Sequence, residues 1–337
     1  MKSLVCTLPG RFEYEETAEP VLEKDHAIIA VKRIGICGTD LHAYEGTQPF
    51  FEYPRILGHE LSGELMAFDN APGFEVGEKV SIIPYFSCGH CIACRRGKPN
   101  CCKQINVFGV HIDGGMKEYI SVPSKYLLHG EGLSFEELAL VEPLAIGAHG
   151  VRRADIKPGD YVLVIGAGPI GLGAMELARI AGANVIAMDV NESRLAFCKS
   201  NLHIYATLNA LDKNVQQQLA GLTKGDMPTA VIDATGNLRA INGGIDFLAN
   251  GGNYVLIGLQ KEAFSFSHPE FHKRESTLMS SRNATHADFE HVVACMKAGQ
   301  VNPKTYITHT VGFNEIKDNF ESWLKPETGV IKAMVQL

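Results

Sequence analysis

The stretch that most constrains the fold is Gly166-Ala167-Gly168-Pro169-Ile170-Gly171, near the middle of the chain. It follows an apolar run over residues 161–165 that is typical of a buried strand, and it opens a helical pattern over residues 170–181. In this context Gly-x-Gly-x-x-Gly is the turn of a dinucleotide-binding β-α-β unit. The first glycine makes a tight turn, the second lets the backbone approach a pyrophosphate, and the third lets helix and strand pack closely. We therefore predict a parallel sheet covered by helices, with phosphates bound at the helix N-terminus.

Asp189 ends the next predicted strand, over residues 185–188, near the ~20-residue spacing expected for the acidic residue of such a unit. A carboxylate there accepts hydrogen bonds from ribose hydroxyls and repels a 2′-phosphate, which favours NAD over NADP. Arg194 either stacks on the adenine or lies on a solvated helix face. A glycine-rich turn without a ligand is the alternative, and the order of strand, turn, helix and acidic residue argues against it. The predicted coenzyme-binding residues are Gly166, Gly168, Pro169, Ile170, Gly171, Asp189, Arg194, Thr235, Ile257 and Ser281.

The chain N-terminal to this β-α-β unit has a different pattern of apolar residues from the unit itself. Residues 1 to about 140 contain short alternating apolar runs separated by turn signals, which predicts a loop-rich, β-barrel-like domain. These runs cover residues 27–34, 61–67, 79–83 and 116–122. Ser134 and Glu137 form a capping-box signature, which predicts a helix whose apolar residues continue to Ala148. From there strands alternate with helices, as in a parallel sheet covered on both faces.

Length and the C-terminal pattern set the predicted domain boundaries. A chain of 337 residues suggests two domains of ~150 residues each. After about residue 285 only two helices, over 288–298 and 313–323, and a strand over 330–335 remain, so this segment is expected to pack on the first domain. We predict a first domain over residues 1–143 with a metal-binding lobe at about 86–104, a dinucleotide-binding domain over 144–285, and a C-terminal return over 286–337.

Two short motifs in the first domain predict a metal site. The chain reads Cys37-Gly38-Thr39-Asp40-Leu41-His42 and then Gly58-His59-Glu60. A thiolate and an imidazole suit Zn²⁺, and a catalytic zinc keeps three protein ligands and one open position. Cys37 and His59 are two of the predicted ligands, and Glu60 or a later carboxylate is the third. A buried free cysteine and a hydrogen-bonded core histidine are the alternative interpretation of the same residues.

A second metal site is predicted from four cysteines packed into fifteen residues. Cys88, Cys91, Cys94 and Cys102 have the spacing of a closed, structural Cys₄ zinc site, in which the metal stabilises a lobe with almost no core. An iron–sulfur cluster is less favoured because the fourth cysteine of the ferredoxin spacing is missing. Cys101 lies beside Cys102, so either of the two is a candidate for the fourth ligand.

Charge and cysteine content exclude several other functions. A net charge of −7 and a pI near 6.0 provide no basic field for nucleic acid or for an anionic membrane. The N-terminus lacks a signal-peptide pattern, and the longest apolar runs are strand-sized. Nine cysteines, four of them at metal spacing, argue for a reducing compartment rather than a disulfide framework. We therefore predict a cytoplasmic protein with a small-molecule substrate.

In the order of these motifs, the whole chain resembles the zinc-containing medium-chain dehydrogenases, in the branch of the sorbitol, threonine and sugar-acid dehydrogenases. The order is Cys-Gly-Thr-Asp-x-x-His, Gly-His-Glu, the four-cysteine lobe, Glu142-Pro143 and Gly-x-Gly-x-x-Gly. The resemblance implies an α/β fold with a GroES-like catalytic domain, interrupted by a Rossmann domain with a doubly wound parallel sheet. It also implies one catalytic zinc, one structural zinc, NAD, and assembly into a homo-oligomer, a dimer or a tetramer.

The resemblance further implies a role for individual residues of the site. Cys37 and His59 hold the catalytic zinc beside Glu60, and Glu142 lies where ethanol-type enzymes have a cysteine ligand. Either Glu142 binds the zinc directly, or Glu60 does while Glu142 holds a metal-bound water. Thr39 and His42 match the hydroxyl and imidazole of a proton relay, with a turn threonine and a surface histidine as the alternative interpretation. Asp40 would orient His59.

The implied reaction is the NAD-dependent oxidation of a secondary alcohol to a ketone by hydride transfer, on a sugar acid or a polyol. Phrases such as Gln48-Pro49-Phe50-Phe51 and Val107-Phe108-Gly109-Val110-His111 resemble the sugar-acid oxidoreductases in particular. A sugar-acid carboxylate needs a cation, and Arg55 and Lys273 are candidates. Tyr44 and His111 are candidates for hydrogen bonds to the substrate.

Two other functions use parts of the same pattern. Within enzymes, a polyol dehydrogenase or an L-threonine 3-dehydrogenase needs the same metal and coenzyme residues. Outside enzymes, a non-catalytic NAD-binding sensor with a zinc-ribbon interaction lobe would carry the dinucleotide motif and the four cysteines.

Overall fold

The chain folds into two units, each built on its own main sheet, in a computed structural model that describes residues 1–49 and 51–337. One unit comprises Met1–Pro143 and Thr285–Leu337, and the other comprises Leu144–Ala284. Phe50, in one of the phrases shared with sugar-acid oxidoreductases, lies outside the described residues.

The strands and helices are numbered in chain order. The strands are β1 (Lys2–Leu8), β2 (Arg11–Glu16), β3 (His26–Gly35), β4 (Arg55–Ile56), β5 (Glu60–Phe68), β6 (Lys79–Ile82), β7 (Tyr85–Phe86), β8 (Asn106–Val107), β9 (Tyr119–Pro123), β10 (Leu127–His129), β11 (Tyr161–Ile165), β12 (Asn184–Asp189), β13 (Ala206–Asn209), β14 (Ala230–Asp233), β15 (Asn253–Leu256), β16 (Thr277–Ser280), β17 (Ile307–Gly312) and β18 (Lys332–Gln336). The α-helices are α1 (Gly38–Tyr44), α2 (Ile92–Arg95), α3 (Phe135–Ala139), α4 (Val141–Arg153), α5 (Pro169–Ile180), α6 (Glu192–Asn201), α7 (Val215–Leu222), α8 (Leu238–Gly244), α9 (His268–Lys273), α10 (His286–Lys297) and α11 (Ile316–Asn319).

The long strand β3 organises the first unit. This strand is rich in apolar and β-branched residues, which favour a β-sheet. It pairs antiparallel with β5, with β9 and with the C-terminal strand β18. Ile29 and Ile34 on β3 pack with Leu61 and Leu65 on β5 in a fully buried core. Because β18 pairs along the end of β3, residues near the C-terminus lie beside the Gly35–Cys37 segment.

The second unit contains a six-stranded parallel sheet in the order β13-β12-β11-β14-β15-β16. Its strands are continuous buried apolar runs, such as Val162 to Ile165, as expected for a sheet covered on both faces. Strands β12 and β13 are added on one side of β11, and β14, β15 and β16 on its other side. The boundary between β11 and β14 is therefore the topological switch point of a doubly wound sheet. The predicted α/β class, with a doubly wound parallel sheet beside a β-rich unit, is confirmed.

Several local predictions were wrong in detail. The helix expected from Ser134 to Ala148 is two helices, α3 and α4, separated at Leu140, which is buried against Met334. This break places Glu142 in the first turn of α4, where a carboxylate interacts favourably with the helix dipole.

The helix expected over residues 313–323 is only the four-residue α11, flanked by 3₁₀ turns over 313–315 and 320–324. Burial of Phe313, Phe320 and Trp323 in the core of the first unit takes precedence over helical continuity. The hairpin of β1 and β2, the strand β13 and the helices α7 to α9 were missed. Among the residues described, no helix has both the length and the apolar character needed to cross a membrane.

Candidate active site

The structure brings Cys37, His59 and Glu60 together. The ligand atoms of these three residues all lie within 4.8 Å of one another. Cys37 lies just before α1, whereas His59 and Glu60 lie at the start of β5, which pairs with β3 so that Glu60 is opposite Gly35. A thiolate, an imidazole and a carboxylate at this separation match the donor types of a zinc site.

Asp40 holds the two ligand-bearing segments together. Its Oδ2 accepts a hydrogen bond from the Cys37 N–H at 2.9 Å, and its Oδ1 accepts one from the Gly58 N–H at 3.1 Å. Oδ1 also lies 3.6 Å from His59 Nδ1, longer than a hydrogen bond. This fully buried carboxylate therefore fixes the backbone beside both Cys37 and His59.

The charges around His59 suit a cation. Burial lowers the pKa of His59, but Asp40 and Cys37 outweigh that effect and hold the pKa well above its ordinary value. The Nδ1 atom of His59 is buried without a hydrogen bond in the described chain. More negative than positive groups therefore surround the imidazole, an arrangement that a divalent cation stabilises and that fits the catalytic zinc.

Two residues that are not metal ligands determine the position of Glu60. Lys332 Nζ, on β18, donates to both carboxylate oxygens of Glu60 at 2.7 Å and to the Ile36 carbonyl at 3.0 Å. Both side chains are almost completely buried. Gly35 provides the space for this arrangement, because a Cβ at that position would lie 2.1 Å from Glu60 Oε2. Sequence reasoning missed Lys332.

Glu142 is the second carboxylate candidate of the metal site. It is buried in the first turn of α4, and its Oε1 accepts a hydrogen bond from the hydroxyl of Tyr85, on β7. Burial raises the pKa of Glu142 to about 7, with a contribution from Glu60, although His59 opposes the shift. Glu60 lies within 4.8 Å of both Cys37 and His59, as a third ligand requires. Tyr85 was also missed by sequence reasoning.

Thr39 and His42, the predicted relay, both lie on α1. Thr39 is half-buried, whereas the imidazole of His42 is 63% exposed. His42 Nδ1 lies 3.3 Å from Glu45 Oε2 and 3.4 Å from Thr47 Oγ1. The helix thus carries one side chain that is partly shielded and another in contact with water, as a path for a proton requires.

The four lobe cysteines form a second metal-competent group. The sulfurs of Cys88, Cys91, Cys94 and Cys102 lie within 4.8 Å of one another. The Cys91–Cys94 and Cys91–Cys102 distances of 3.5 and 3.9 Å bracket the ~3.8 Å separation of sulfurs around a tetrahedral zinc with ~2.3 Å bonds. The lobe therefore fits a structural zinc, and Cys101 is exposed outside the group.

Backbone N–H groups prepare two of these sulfurs, those of Cys91 and Cys102, to carry negative charge, whereas burial raises the pKa of the Cys94 thiol to about 11. The N–H groups of Cys88 and Gln104 donate to Cys102 Sγ at 3.2 and 3.3 Å. Hydrogen bonds from the backbone of Cys94 and Lys103 lower the pKa of Cys91 to about 6. Thiolates stabilised in this way are the form that binds metal.

The glycine turn between β11 and α5 has the geometry its spacing predicts. Gly166 has φ +99°, and a Cβ on Gly171 would lie 1.8 Å from the Gly166 carbonyl oxygen, so neither position accepts a side chain without movement. Gly168, at the N-terminus of α5, faces open space: apart from its chain neighbours, no atom of the described residues lies within 4 Å of the position that a Cβ would take there. A pyrophosphate can approach the backbone at this point.

Asp189, at the end of β12, is oriented by the backbone around it. Its Oδ2 accepts a hydrogen bond from Ala167 N–H at 2.6 Å, and its Oδ1 accepts one from Asn191 N–H at 2.8 Å. The hydrogen bond from Ala167 therefore holds the Asp189 carboxylate against the glycine turn. Arg194 lies half-buried in α6, whose N-terminus is capped by the Asn191 side chain.

The remaining coenzyme candidates follow the strands of the same sheet. Thr235, Ile257 and Ser281 lie one or two residues past the carboxyl ends of β14, β15 and β16, at the edge where the glycine turn follows β11. Thr235 Oγ1 donates to Asp233 at 2.9 Å, whereas the buried Ser281 Oγ has no hydrogen-bond partner in the described chain. Ligands of doubly wound sheets bind at this edge.

The four candidate substrate contacts have other partners. Arg55 lies 3.5 Å from Asp113, and the exposed Lys273 lies 3.9 Å from Glu270. Tyr44 stacks on Phe12 with ring centroids 5.0 Å apart. His111 Nδ1 accepts a hydrogen bond from the Val107 N–H. These contacts do not single out any of the four as the group that binds a substrate carboxylate.

Comparison with known proteins gives two matching family models. Residues 23–131 match the alcohol dehydrogenase GroES-like domain, and residues 169–298 match the zinc-binding dehydrogenase domain. The chain is 41% identical to an L-galactonate-5-dehydrogenase of Escherichia coli K12, over 99% of this chain and 98% of the relative. It is 32% identical to a sorbitol dehydrogenase of Halalkalibacterium halodurans, over 94% of both chains.

Solved structures show the same similarity. A structure described as a short chain alcohol dehydrogenase of E. coli CFT073, complexed with NADH, is 31% identical with a TM-score of 0.93, over 100% of this chain and 99% of the other. The 2R,3R-butanediol dehydrogenase of Bacillus subtilis is 26% identical with a TM-score of 0.90, over 100% and 99%.

Proposed function

The chain belongs to the zinc-binding alcohol dehydrogenase family, and from this premise we propose that it oxidises a secondary hydroxyl of a sugar acid, L-galactonate or a similar aldonate, with NAD as the hydride acceptor. The observation that supports this substrate class is the 41% identity, over nearly the full length, to an L-galactonate-5-dehydrogenase. Polyol oxidation is the second candidate, favoured by the similarity to a sorbitol dehydrogenase.

The proposed catalytic zinc ligands are Cys37, His59 and one carboxylate. Glu60, whose ligand atom lies within 4.8 Å of theirs, is the first candidate, and Glu142 is the alternative. Bound zinc supplies a Lewis acid that makes a substrate hydroxyl easier to deprotonate near neutral pH. Asp40 keeps Cys37 and His59 in position through its two backbone hydrogen bonds. The cysteines 88, 91, 94 and 102 are the proposed ligands of the structural zinc.

Thr39 and His42 are the proposed proton path. The Thr39 hydroxyl accepts the proton of the substrate hydroxyl and donates its own towards His42. The imidazole of His42 is 63% exposed, which supports release of the proton to water.

The coenzyme is proposed to lie along the carboxyl edge of the parallel sheet. The N–H groups at the start of α5, around Gly168, Pro169 and Ile170, bind the pyrophosphate, and Gly166 and Gly171 shape the turn. Asp189 accepts hydrogen bonds from the ribose hydroxyls and repels a 2′-phosphate, which supports NAD over NADP as the coenzyme. Arg194, Thr235, Ile257 and Ser281 are proposed as further contacts on the same edge.

We also infer that the enzyme works in the cytoplasm as a homo-oligomer, a dimer or a tetramer. All nine cysteines are free in the structure, which supports a reducing compartment. The net charge of −7 supports a small-molecule substrate rather than nucleic acid or an anionic membrane as partner.

A panel of aldonates and polyols, each offered with NAD and with NADP, tests the proposal through the absorbance of the reduced coenzyme. We expect turnover with L-galactonate or a near relative and NAD. Turnover with sorbitol-like polyols alone would transfer the assignment to the second candidate. Absence of turnover with every alcohol, in a protein that holds a single zinc per chain, would favour the non-catalytic sensor.

A further inference from the structure

Two buried carboxylates share the metal-binding region, and each has a different buried partner. Glu60 has both oxygens within 2.7 Å of Lys332 Nζ. The Tyr85 hydroxyl donates a hydrogen bond to one oxygen of Glu142, Oε1. Lys332 therefore binds both oxygens of Glu60, whereas Tyr85 binds one oxygen of Glu142.

The position of Tyr85 is set by packing that does not depend on Glu142. Its strand β7 pairs with β8 so that Tyr85 lies opposite Val107. Its ring contacts Phe289 of α10 edge to face, with centroids 6.1 Å apart. A phenol hydroxyl buried in this way needs a hydrogen-bond partner, because leaving it without one is costly. The ring is held by its neighbours, and the hydroxyl points at the carboxylate.

We propose that Tyr85 is a positioning residue for the metal centre, which fixes Glu142 through Oε1 and directs Oε2 towards the metal and the substrate hydroxyl. The inference rests on the proposed function, because it assigns Glu142 a part in alcohol oxidation. It also explains how two nearby carboxylates acquire different roles: Lys332 binds both oxygens of Glu60, whereas Tyr85 binds only Oε1 of Glu142.

Tyr85→Phe tests this proposal, because it removes the hydroxyl and keeps the ring packed on Phe289. The matched control is Tyr14→Phe in the same unit, whose hydroxyl donates to the Phe313 carbonyl at 2.6 Å and has no contact with Glu142. Both variants are prepared with the catalytic zinc exchanged for Co²⁺, and the visible absorption of the cobalt is compared with that of the wild type. We expect a changed cobalt spectrum in Tyr85→Phe and the wild-type spectrum in Tyr14→Phe.

Turnover provides a second readout on the zinc enzyme. We expect kcat to fall about 10- to 100-fold in Tyr85→Phe, the range typical of losing a residue that supports a metal site, with KM within about twofold of the wild type. In a Glu142→Ala background the same tyrosine substitution is expected to change neither the spectrum nor kcat further, because its effect passes through Glu142.

Three results would overturn the proposal: an unchanged cobalt spectrum in Tyr85→Phe, equal effects of both tyrosine substitutions, or full additivity with Glu142→Ala. If Tyr85→Phe does not fold, 3-fluorotyrosine is introduced at position 85, which keeps the shape of the ring and strengthens its hydroxyl as a hydrogen-bond donor. An unchanged cobalt spectrum in that variant would also contradict the proposal. The spectrum needs no substrate, so a wrong assignment of the alcohol would leave this test intact.

Discussion

At the scale of single residues, Gly35 and Lys332 decide where Glu60 lies, although neither has a side chain typical of a zinc ligand. Gly35 leaves the space that Glu60 occupies, and Lys332 neutralises the Glu60 carboxylate where water cannot. The sequence motif around His59 identifies Glu60 as a candidate ligand, but only these two residues explain its conformation.

Gly35→Ala is expected to displace Glu60 and weaken the catalytic metal site. The added Cβ would lie 2.1 Å from Glu60 Oε2 and 3.0 Å from Glu60 Cβ, so the carboxylate must move. We expect one zinc per chain after dialysis against a mild chelator, measured by elemental analysis, and a loss of stability of about 1–3 kcal/mol.

Gly38→Ala is the control, because among the residues described, its chain neighbours aside, no atom lies within 4 Å of a Cβ at Gly38. It should retain two zincs under the same dialysis. Two zincs retained in Gly35→Ala would show that Glu60 tolerates the displacement and has no part in holding the metal.

Lys332→Met should destabilise the protein much more than removal of an exposed lysine. It leaves the Glu60 carboxylate buried without its counter-charge, which typically costs about 3–5 kcal/mol. The free energy of unfolding is measured by urea denaturation of the metal-loaded enzyme. Lys32→Met, which breaks the part-exposed pair with Glu64 at 3.7 Å, is the control and should cost less than about 1 kcal/mol. Equal costs for both variants would contradict the role of Lys332.

At the scale of elements, the turn from β11 to α5 and the lobe around α2 are local structures whose residue spacing dictates their geometry. In the turn, Gly171 and Gly168 have opposite environments: one faces the Gly166 carbonyl, and the other faces open space. The same residue type is therefore needed for folding at one position and for ligand approach at the other.

Gly171→Ala and Gly168→Ala are expected to fail in different ways. Gly171→Ala places a methyl 1.8 Å from the Gly166 oxygen and should lower the thermal midpoint of the second unit. Gly168→Ala should keep a near-wild-type midpoint and weaken NAD binding by about tenfold or more, because the methyl occupies the approach to the helix N-terminus. Scanning calorimetry and coenzyme titration separate the two outcomes. Wild-type NAD affinity in a folded Gly168→Ala would remove the turn from the coenzyme site.

In the lobe, the two adjacent cysteines are expected to differ. Cys102 is buried within the sulfur group and accepts two backbone N–H bonds, whereas Cys101 is exposed. Cys102→Ser should lose one zinc per chain and make residues 88–104 sensitive to limited proteolysis. Cys101→Ser should retain two zincs and resist cleavage, and a zinc loss in this variant instead would reverse the assignment.

At the scale of the whole molecule, the two proposed metal sites differ in how much of the chain they join. The lobe ligands fall within Cys88–Cys102, whereas Glu60 and its partner Lys332 are 272 residues apart in sequence. The first site depends on one local segment, and the second depends on the return of the C-terminal strand to β3.

Zinc release is therefore expected in two phases. In urea below the unfolding midpoint, with a colorimetric chelator present, the catalytic zinc should leave about tenfold faster than the structural zinc or more, and activity should fall with the first phase only. The physical reason is that local opening of β18 disturbs the catalytic group and leaves the lobe intact. A single phase, or loss of the lobe zinc first, would contradict this order.

The sequence predicts those parts of the site whose residues lie close together along the chain. The glycine turn, the four-cysteine lobe and the Cys37, Asp40 and His59 constellation depend on spacing within short motifs, and these motifs predicted the residues that lie together. Helix boundaries were less predictable, because burial of Leu140, Phe320 and Trp323 interrupts helices that the apolar pattern would continue.

By itself the sequence determined the α/β class, the dinucleotide turn and the candidate metal-binding residues, because each is encoded by neighbouring residues whose chemistry and spacing suffice. Only the tertiary structure decided which group controls each carboxylate. Lys332 reaches Glu60 across 272 residues and Tyr85 reaches Glu142 across 57. Such pairs form because burial leaves charged and polar groups no water to bind, so each must find a partner that the folded sheet brings beside it.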